Sequence, residues 1–289
     1  MNPVLQAALA TWEWRPSVLA VALLAAGVYA AGWVALRRQG RIRLAAWWRL
    51  AAYLLGLALL LAALLSFIDV YGALLLFMHM VQHVLLLMLV PVLLLWANPF
   101  PVLLYGLPVA ARRAVVRFLH PEARFRRETR RLTHPGALYA LYIGAIVLWH
   151  DTGLYNLAQG NGLIHDLEHI TFFVAGMLFW WPVMGAAPRI HHPTSLAGRM
   201  AVLLLCVPPH VVIGALLSFV ENPVYEHYLT VPRLWGMDVM QDQRLAGIIM
   251  WIPTGMMYIA GVVILLARHL NQAARRIGSG LDCNEIEAT

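Results

Sequence analysis

The chain has 289 residues, of which 61% are hydrophobic and 12% are charged, and its mean hydropathy is +0.70. A chain of this composition prefers hydrocarbon to water, which excludes an ordinary soluble domain. The formal net charge of +7 comes without the aromatic interleaving or the fold of a nucleic-acid interface, so nucleic-acid binding is not expected. The composition predicts an integral membrane protein embedded in a lipid bilayer.

Seven apolar stretches can each cross a bilayer as a helix. A helix needs about 20 apolar residues to span the hydrocarbon, and continuous runs favour helices over a barrel. The predicted spans are 17–36, 44–67, 73–97, 136–149, 163–185, 200–220 and 245–267. The fourth is the shortest, and 102–107, between two prolines, is predicted to be an interfacial turn. We expect an all-α, polytopic seven-transmembrane-helix bundle over residues 1–277 and a disordered cytoplasmic tail over 278–289.

The arginines predict the orientation of this bundle. All 21 basic residues are arginines. If the N-terminus faces outward, 18 of the 21 lie on the cytoplasmic side, against Arg15, Arg233 and Arg244 outside. Basic loops remain on the cytoplasmic side of a membrane. We therefore predict that the N-terminus is outside and that the C-terminus is cytoplasmic.

Two pairs of histidines lie at the predicted outer ends of the third and fifth spans. His79 and His83 are four residues apart, and His165 and His169 have the same spacing. This spacing places both members of a pair on one helical face. At 1.5 Å of rise per residue His79 and His169 lie roughly 10 Å below the outer surface, and His83 and His210 roughly 15 Å below it. Ionisable residues inside a membrane are costly and usually mark a site, so the pairs predict a metal centre between the two spans.

Further residues around the pairs are candidates to complete or support that centre. His150 ends the fourth predicted span and His210 lies inside the sixth, and both are candidate ligands. Asp166 and Glu168 can hold an imidazole tautomer or coordinate directly. Cys206 precedes His210 by four residues and is a supporting candidate, although packing also explains a buried cysteine. Imidazole with sulfur suits copper, whereas imidazole with carboxylate suits zinc or iron.

Four segments in the chain form a specific combination: "HMVQHVLLLMLVPVLLLWANP", "LWHDTGLYNLA", "HDLEHITFFVAGMLFWWPVMG" and "DQRLAGIIMWIPTG". Taken together and in this order, they resemble the multi-spanning cytochrome c oxidase assembly factor family called CtaG, which is distinct from the single-span copper chaperone of the same name. The histidine-bearing positions of the family correspond to His79, His83, His150, His165 and His169, and its "DQ" pair corresponds to Asp242 and Gln243. Where the family has a proline soon after the third of these histidines, this chain has Asp151-Thr152-Gly153.

The resemblance implies a non-enzymatic, multi-pass protein of the bacterial plasma (inner) membrane that acts in oxidase biogenesis. Its partners would be haem-copper oxidase subunits and a periplasmic copper donor. Together with the histidine pattern, this predicts a copper-binding metallochaperone.

Three other functions fit parts of the pattern. A haem held by two imidazoles would make the protein an electron carrier. An intramembrane metal-dependent hydrolase would use Glu168 as general base, although "HDLEH" is not the HExxH order of zinc proteases. A metal-free scaffold would use the histidines only as hydrogen-bonding residues between helices. Zinc or haem are the alternatives to copper as the bound group.

Overall fold

The computed structural model describes residues 11–120, 122–190 and 194–287, with side chains described as far as residue 275. The described residues contain helices and no strand, which confirms the all-α fold. Six helical segments are long and apolar enough to cross a membrane: Pro16–Arg38, Trp47–Leu65, Leu76–Trp96, Gly162–Met184, Leu196–Phe219 and Val239–Arg275. We call them the first, second, third, fifth, sixth and seventh spans.

Arg124–Leu132 and Pro135–Trp149 form a helix pair bent by 54°, which gives a further candidate crossing if the pair is one span. The third and fifth spans run parallel, because their histidines meet near their starts and the amide of Ala187 bonds to the side chain of Asn98 just beyond their ends. The chain between them must therefore return across the bundle. Pro135–Trp149 makes that return over about 22 Å.

Several spans are interrupted, and short helices connect them. The third span consists of Leu76–Val84, a π-helical turn Leu85–Leu89, and Val90–Trp96. The sixth consists of Leu196–Leu205 and Val207–Phe219, and the seventh belongs to the helix Val239–Glu287. The connecting helices are Phe67–Gly72, Pro99–Gly106, Val109–Phe118, Thr152–Gly160 and His227–Thr230.

Two sequence predictions about local structure need comment. The interfacial turn predicted at 102–107 is wrong, because Pro99–Gly106 is a helix packed on the first span. Gly32 and Gly106 allow this contact, since a Cβ on either would collide with the carbonyl of the opposite helix. The helical backbone of the last span continues to Glu287, past the predicted start of the tail at 278. The side chains there lie outside the described residues, and the division into domain and tail stays a prediction.

The third and fifth spans approach closely just below the histidines. Pro91 has no N–H to donate to Leu87, four residues earlier. The freed carbonyl of Leu87 instead accepts a hydrogen bond from the Trp180 indole at 3.2 Å. Gly176 lies against the same carbonyl, and a Cβ there would be 2.6 Å from the oxygen. A missing hydrogen bond and a missing side chain thus bring the two histidine-bearing spans together.

Candidate metal centre

Four buried side chains converge between the third and fifth spans. His79 and His83 come from the third span, and Glu168 and His169 from the fifth. One ligand atom from each lies within 4.8 Å of the others. Nε2 of His83 is 3.3 Å and Nε2 of His79 is 3.7 Å from Oε1 of Glu168. We call these residues the inner group.

The start of the third span is held by Asp242 from the seventh. The carboxylate accepts hydrogen bonds from the backbone N–H groups of Leu76 and Phe77 at 3.0 and 2.9 Å. The first N–H groups of a helix have no partner within it, and a side-chain acceptor stabilises that end. Asp242 also pairs with Arg233 at 3.5 Å. Its predicted supporting role is therefore exerted through the helix that carries His79, without contact with the inner group.

The inner group concentrates buried polar atoms that have no hydrogen-bond partner among the described residues. They are both oxygens of Glu168, Nε2 of His79, both ring nitrogens of His83 and both ring nitrogens of His169. A buried polar atom without a partner costs about 1–3 kcal/mol. Imidazole nitrogens and a carboxylate in this arrangement are the donors that a bound metal ion requires. The residues therefore fit a metal ion.

His150 lies next to the inner group in an orientation suited to a ligand. Its ring centroid is 5.8 Å from that of His83. Its Nδ1 is 2.7 Å from the carbonyl oxygen of Ile146 and donates to it, which leaves Nε2 as an acceptor without a partner. A hydrogen bond of this kind fixes the ring of many metal-binding histidines. His150 is thus a neighbour of the inner group and not one of its four members.

A second group lies one helical turn closer to the end of the bundle where the first span begins. It consists of Asp69, His165 and His169, with ligand atoms again within 4.8 Å of one another. We call it the outer group, and we call that end of the bundle the Arg15 end. Burial raises the pKa of the Asp69 carboxyl, while the amide of Gln82 and the guanidinium of Arg15 oppose the rise.

The other predicted site residues lie outside both groups. Asp166 is half-exposed and pairs with Arg15 at 2.5 Å. His210 bonds through Nδ1 to the carbonyl of Cys206 at 2.9 Å and through Nε2 to the hydroxyl of Tyr258 at 3.3 Å. Both its nitrogens therefore have protein partners. Cys206 is a fully buried free thiol in the apolar core.

Two glutamines beside the centre were missed from the sequence. Gln82 donates to Asp69 at 2.6 Å, and the amide of Gln159 lies 3.3 Å from Nδ1 of His79. Gln82 carries a signal, since it is a polar residue in an apolar run directly before His83. Gln159 carries none, because it belongs to the short helix Thr152–Gly160 whose packing over His79 is a tertiary feature.

Fold and site together define a polytopic helical membrane protein with a histidine and carboxylate centre buried between two parallel spans. Comparison with known sequences identifies the family. The sequence model of the cytochrome c oxidase caa3 assembly factor family, Caa3_CtaG, matches residues 27–272. The chain belongs to this family, which confirms the resemblance seen in its motifs.

The relatives found among curated proteins are mycobacterial. Uncharacterized proteins of Mycobacterium bovis and Mycobacterium tuberculosis are each 30% identical over 293 residues, covering 97% of this chain and 42% of their own length. An uncharacterized protein of Mycobacterium leprae is 28% identical over 275 residues, covering 91% of this chain and 40% of its own length. The chain thus spans less than half the length of these relatives. No solved structure matches the chain.

Proposed function

We propose that this chain binds a copper ion in the inner group and supplies it to a haem-copper oxidase during assembly. The observation that carries the proposal is the convergence of three imidazoles and one carboxylate, all buried and almost without hydrogen-bond partners. The family, described as a cytochrome c oxidase assembly factor, provides the class of client. The N-out orientation, with the Arg15 end facing the periplasm, is part of the proposal.

The charge of the inner group favours cuprous copper. Three neutral imidazoles and an ionised Glu168 carry one negative charge, which a monovalent cation neutralises and a divalent cation exceeds. A net charge is costly in a membrane interior, so the neutral assembly is preferred. The donor set of the inner group, imidazole with carboxylate and no sulfur, also suits zinc or iron, so the preference for copper comes from the charge and from the oxidase client of the family. Zinc remains the alternative in the test below.

The residues take distinct parts in holding the ion. His79, His83 and His169 are the ligands, and Glu168 provides the balancing charge beside His83. His150, whose Nε2 faces no hydrogen-bond partner, is positioned to replace one of them when the ion leaves. Exchange of one imidazole for another allows transfer to a client without releasing the ion into the hydrocarbon.

The inner group offers less to the alternative functions. A haem held by two imidazoles between the third and fifth spans needs a flat opening for the macrocycle, whereas the ring of His83 is packed 4.4 Å from that of Phe172 on the fifth span. A hydrolase needs access for water and substrate at its general base, and Glu168 is fully buried. A metal-free scaffold would leave only the imidazoles of His83 and His79, 3.3 and 3.7 Å from Oε1, to compensate the Glu168 carboxylate.

The test is the metal and haem content of the detergent-purified chain, by elemental analysis with an optical spectrum. The variant His79→Ala/His169→Ala is compared with wild type, and His120→Ala/His269→Ala, which removes two exposed histidines, is the control. We expect about one copper per chain in wild type and control and none in the first variant. Copper-deficient oxidase in cells that carry only that variant would support delivery.

Each other result contradicts the proposal in a defined way. Copper retained in full by the His79→Ala/His169→Ala variant would remove the inner group as its site. Zinc in place of copper under reducing, copper-replete conditions would assign another metal. A Soret band would favour haem. If the protein contains neither metal nor haem and the oxidase still assembles in the cells, the metal-free scaffold is the function that remains.

A further inference from the structure

The outer group shares one residue with the inner group. Asp69 and His169 are 6% and 3% exposed, whereas His165 is half-buried. The rings of His165 and His169 lie 4.1 Å apart, and those of His165 and His79 lie 5.3 Å apart. Within the part of the chain that the structure describes, neither ring nitrogen of His169 has a hydrogen-bond partner. A single imidazole therefore joins a more exposed set of ligands to a buried one.

Arg15 covers the outer group from the protein surface. Its Nη2 donates to Oδ2 of Asp69 at 3.1 Å, while Oδ1 of Asp69 accepts from Gln82 at 2.6 Å. Both carboxylate oxygens are thus engaged, and a cation that binds Asp69 must share an oxygen with one of these partners or displace it. Arg15 is the partner able to leave, because its side chain is 30% exposed and is also paired with Asp166 and Glu13 at 2.5 and 3.1 Å.

We propose that the outer group is an entry site for cuprous ion, that Arg15 closes it, and that His169 passes the ion to His79 and His83. This inference rests on the proposed function of the inner group. An arriving cation replaces the guanidinium as the counter-charge of Asp69. Arg15 keeps its other two carboxylates while displaced, so no charge is left unpaired. No covalent bond forms or breaks, and no electron is transferred. Only the bonds between ion and ligand and the pairing of Arg15 with Asp69 change.

The arrangement also gives the movement a direction. When the ion is in the outer group, it competes with Arg15 for Asp69, and the two cations repel each other. When the ion has moved to the inner group, it lies beside Glu168 and Arg15 can return to Asp69. Glu168 then balances the charge of the ion, and Arg15 balances the charge of Asp69. Arg15 therefore slows both the entry of the ion into the outer group and its escape, and it affects rates more than the final affinity.

The test measures the rate of loading separately from affinity. The metal-free, detergent-purified full chain is mixed under reducing conditions with a cuprous complex of a chromophoric chelator, and transfer is followed by stopped-flow absorbance. Asp69→Asn/His165→Gln should load at least about tenfold more slowly than wild type, with an equilibrium affinity unchanged within about threefold. The asparagine retains an acceptor for Gln82.

The variant Arg15→Gln tests the closing residue, and it changes a partly exposed side chain that is not a ligand. Loading and release should both become about threefold to tenfold faster. Glu13→Gln is the matched control, because it removes an exposed partner of Arg15 and leaves Asp69 engaged. It should load at the wild-type rate.

The outcomes separate this inference from the function on which it rests. If Asp69→Asn/His165→Gln loads at the wild-type rate, or if Arg15→Gln loads no faster, the entry site is refuted while copper binding by the inner group stands. If the wild-type chain takes no copper from the chelator, the proposed function fails first. If wild type retains a second equivalent of copper and Asp69→Asn/His165→Gln loses it, both groups hold resident ions. That result would overturn the proposed transfer from the outer group to the inner group.

Discussion

Replacing Glu168 by glutamine tests whether the buried carboxylate balances a cation. The side chain is fully buried, and among the described residues neither of its oxygens has a hydrogen-bond partner, although Nε2 of His83 lies 3.3 Å from Oε1. A carboxylate in this position costs free energy unless a cation is bound. Glutamine keeps nearly the same shape and removes the charge. The substitution should therefore stabilise the metal-free protein and weaken copper binding, two effects of opposite sign.

The size of the effect on binding follows from the geometry. Oε1 of Glu168 lies 3.3 Å from Nε2 of His83, so an ion held by the imidazoles would be about 4 Å from the carboxylate charge. Two unit charges at about 4 Å attract by about 4 kcal/mol at an effective dielectric constant of 20. Every 1.4 kcal/mol is about tenfold in affinity, so the loss is about a thousandfold. The metal-free protein should gain about 1–3 kcal/mol.

Two assays check the two signs. Competition with a chromophoric cuprous chelator gives the affinity, and thermal unfolding in detergent gives the stability with and without copper. Glu226→Gln is the control, because Glu226 is an exposed carboxylate with no described ion pair. A Glu168→Gln affinity within about threefold of wild type would refute the reasoning. A metal-free variant less stable than wild type would refute it independently.

Three further substitutions examine the surroundings of the centre. Gly176→Ala places a Cβ 2.6 Å from the carbonyl oxygen of Leu87, so it should lower stability by about 1–3 kcal/mol and weaken copper binding. Gly144→Ala, with open space around it, is the control and should do neither. Equal unfolding temperatures for the two variants would contradict this expectation. Asp242→Ala removes the cap of the third span and should cost about 0.5–2 kcal/mol in thermal unfolding, and an unchanged midpoint would remove the capping role. His210→Asn should retain the full copper content, because both ring nitrogens of His210 are engaged elsewhere, and loss of the metal would return that histidine to the ligand set.

The sequence predicted the class of the protein and the convergence of histidines from the third and fifth spans, because both depend on local patterns. Apolar runs predict helices in a membrane regardless of their neighbours, and the i, i+4 spacing alone places His79 and His83 on one face. The inference that the third and fifth spans meet was correct, since buried ionisable residues on two spans have few other partners. The orientation of the bundle stays a prediction.

The membership of each group could not be predicted, because it depends on how far one span is shifted along the other. His165 and His169 share a face, but they differ in depth by about 6 Å. The packing of Gly176 against Leu87 sets the level at which His169 meets the inner histidines, and His165 is left in the outer group. Glu168 takes the fourth inner position, whereas the sequence left open whether it supports an imidazole or coordinates directly.

The π-helical turn Leu85–Leu89 follows His83 almost immediately. Such a turn holds one residue more than the regular helix, and one residue corresponds to a rotation of about 100°. The angle at which His79 and His83 face Glu168 therefore depends on how many leucines lie between them and Pro91. Deleting one leucine would scarcely change the hydropathy or length of the span, yet it would turn the histidines toward lipid. In this stretch one apolar residue can largely replace another, whereas the number of residues determines the direction in which His79 and His83 face.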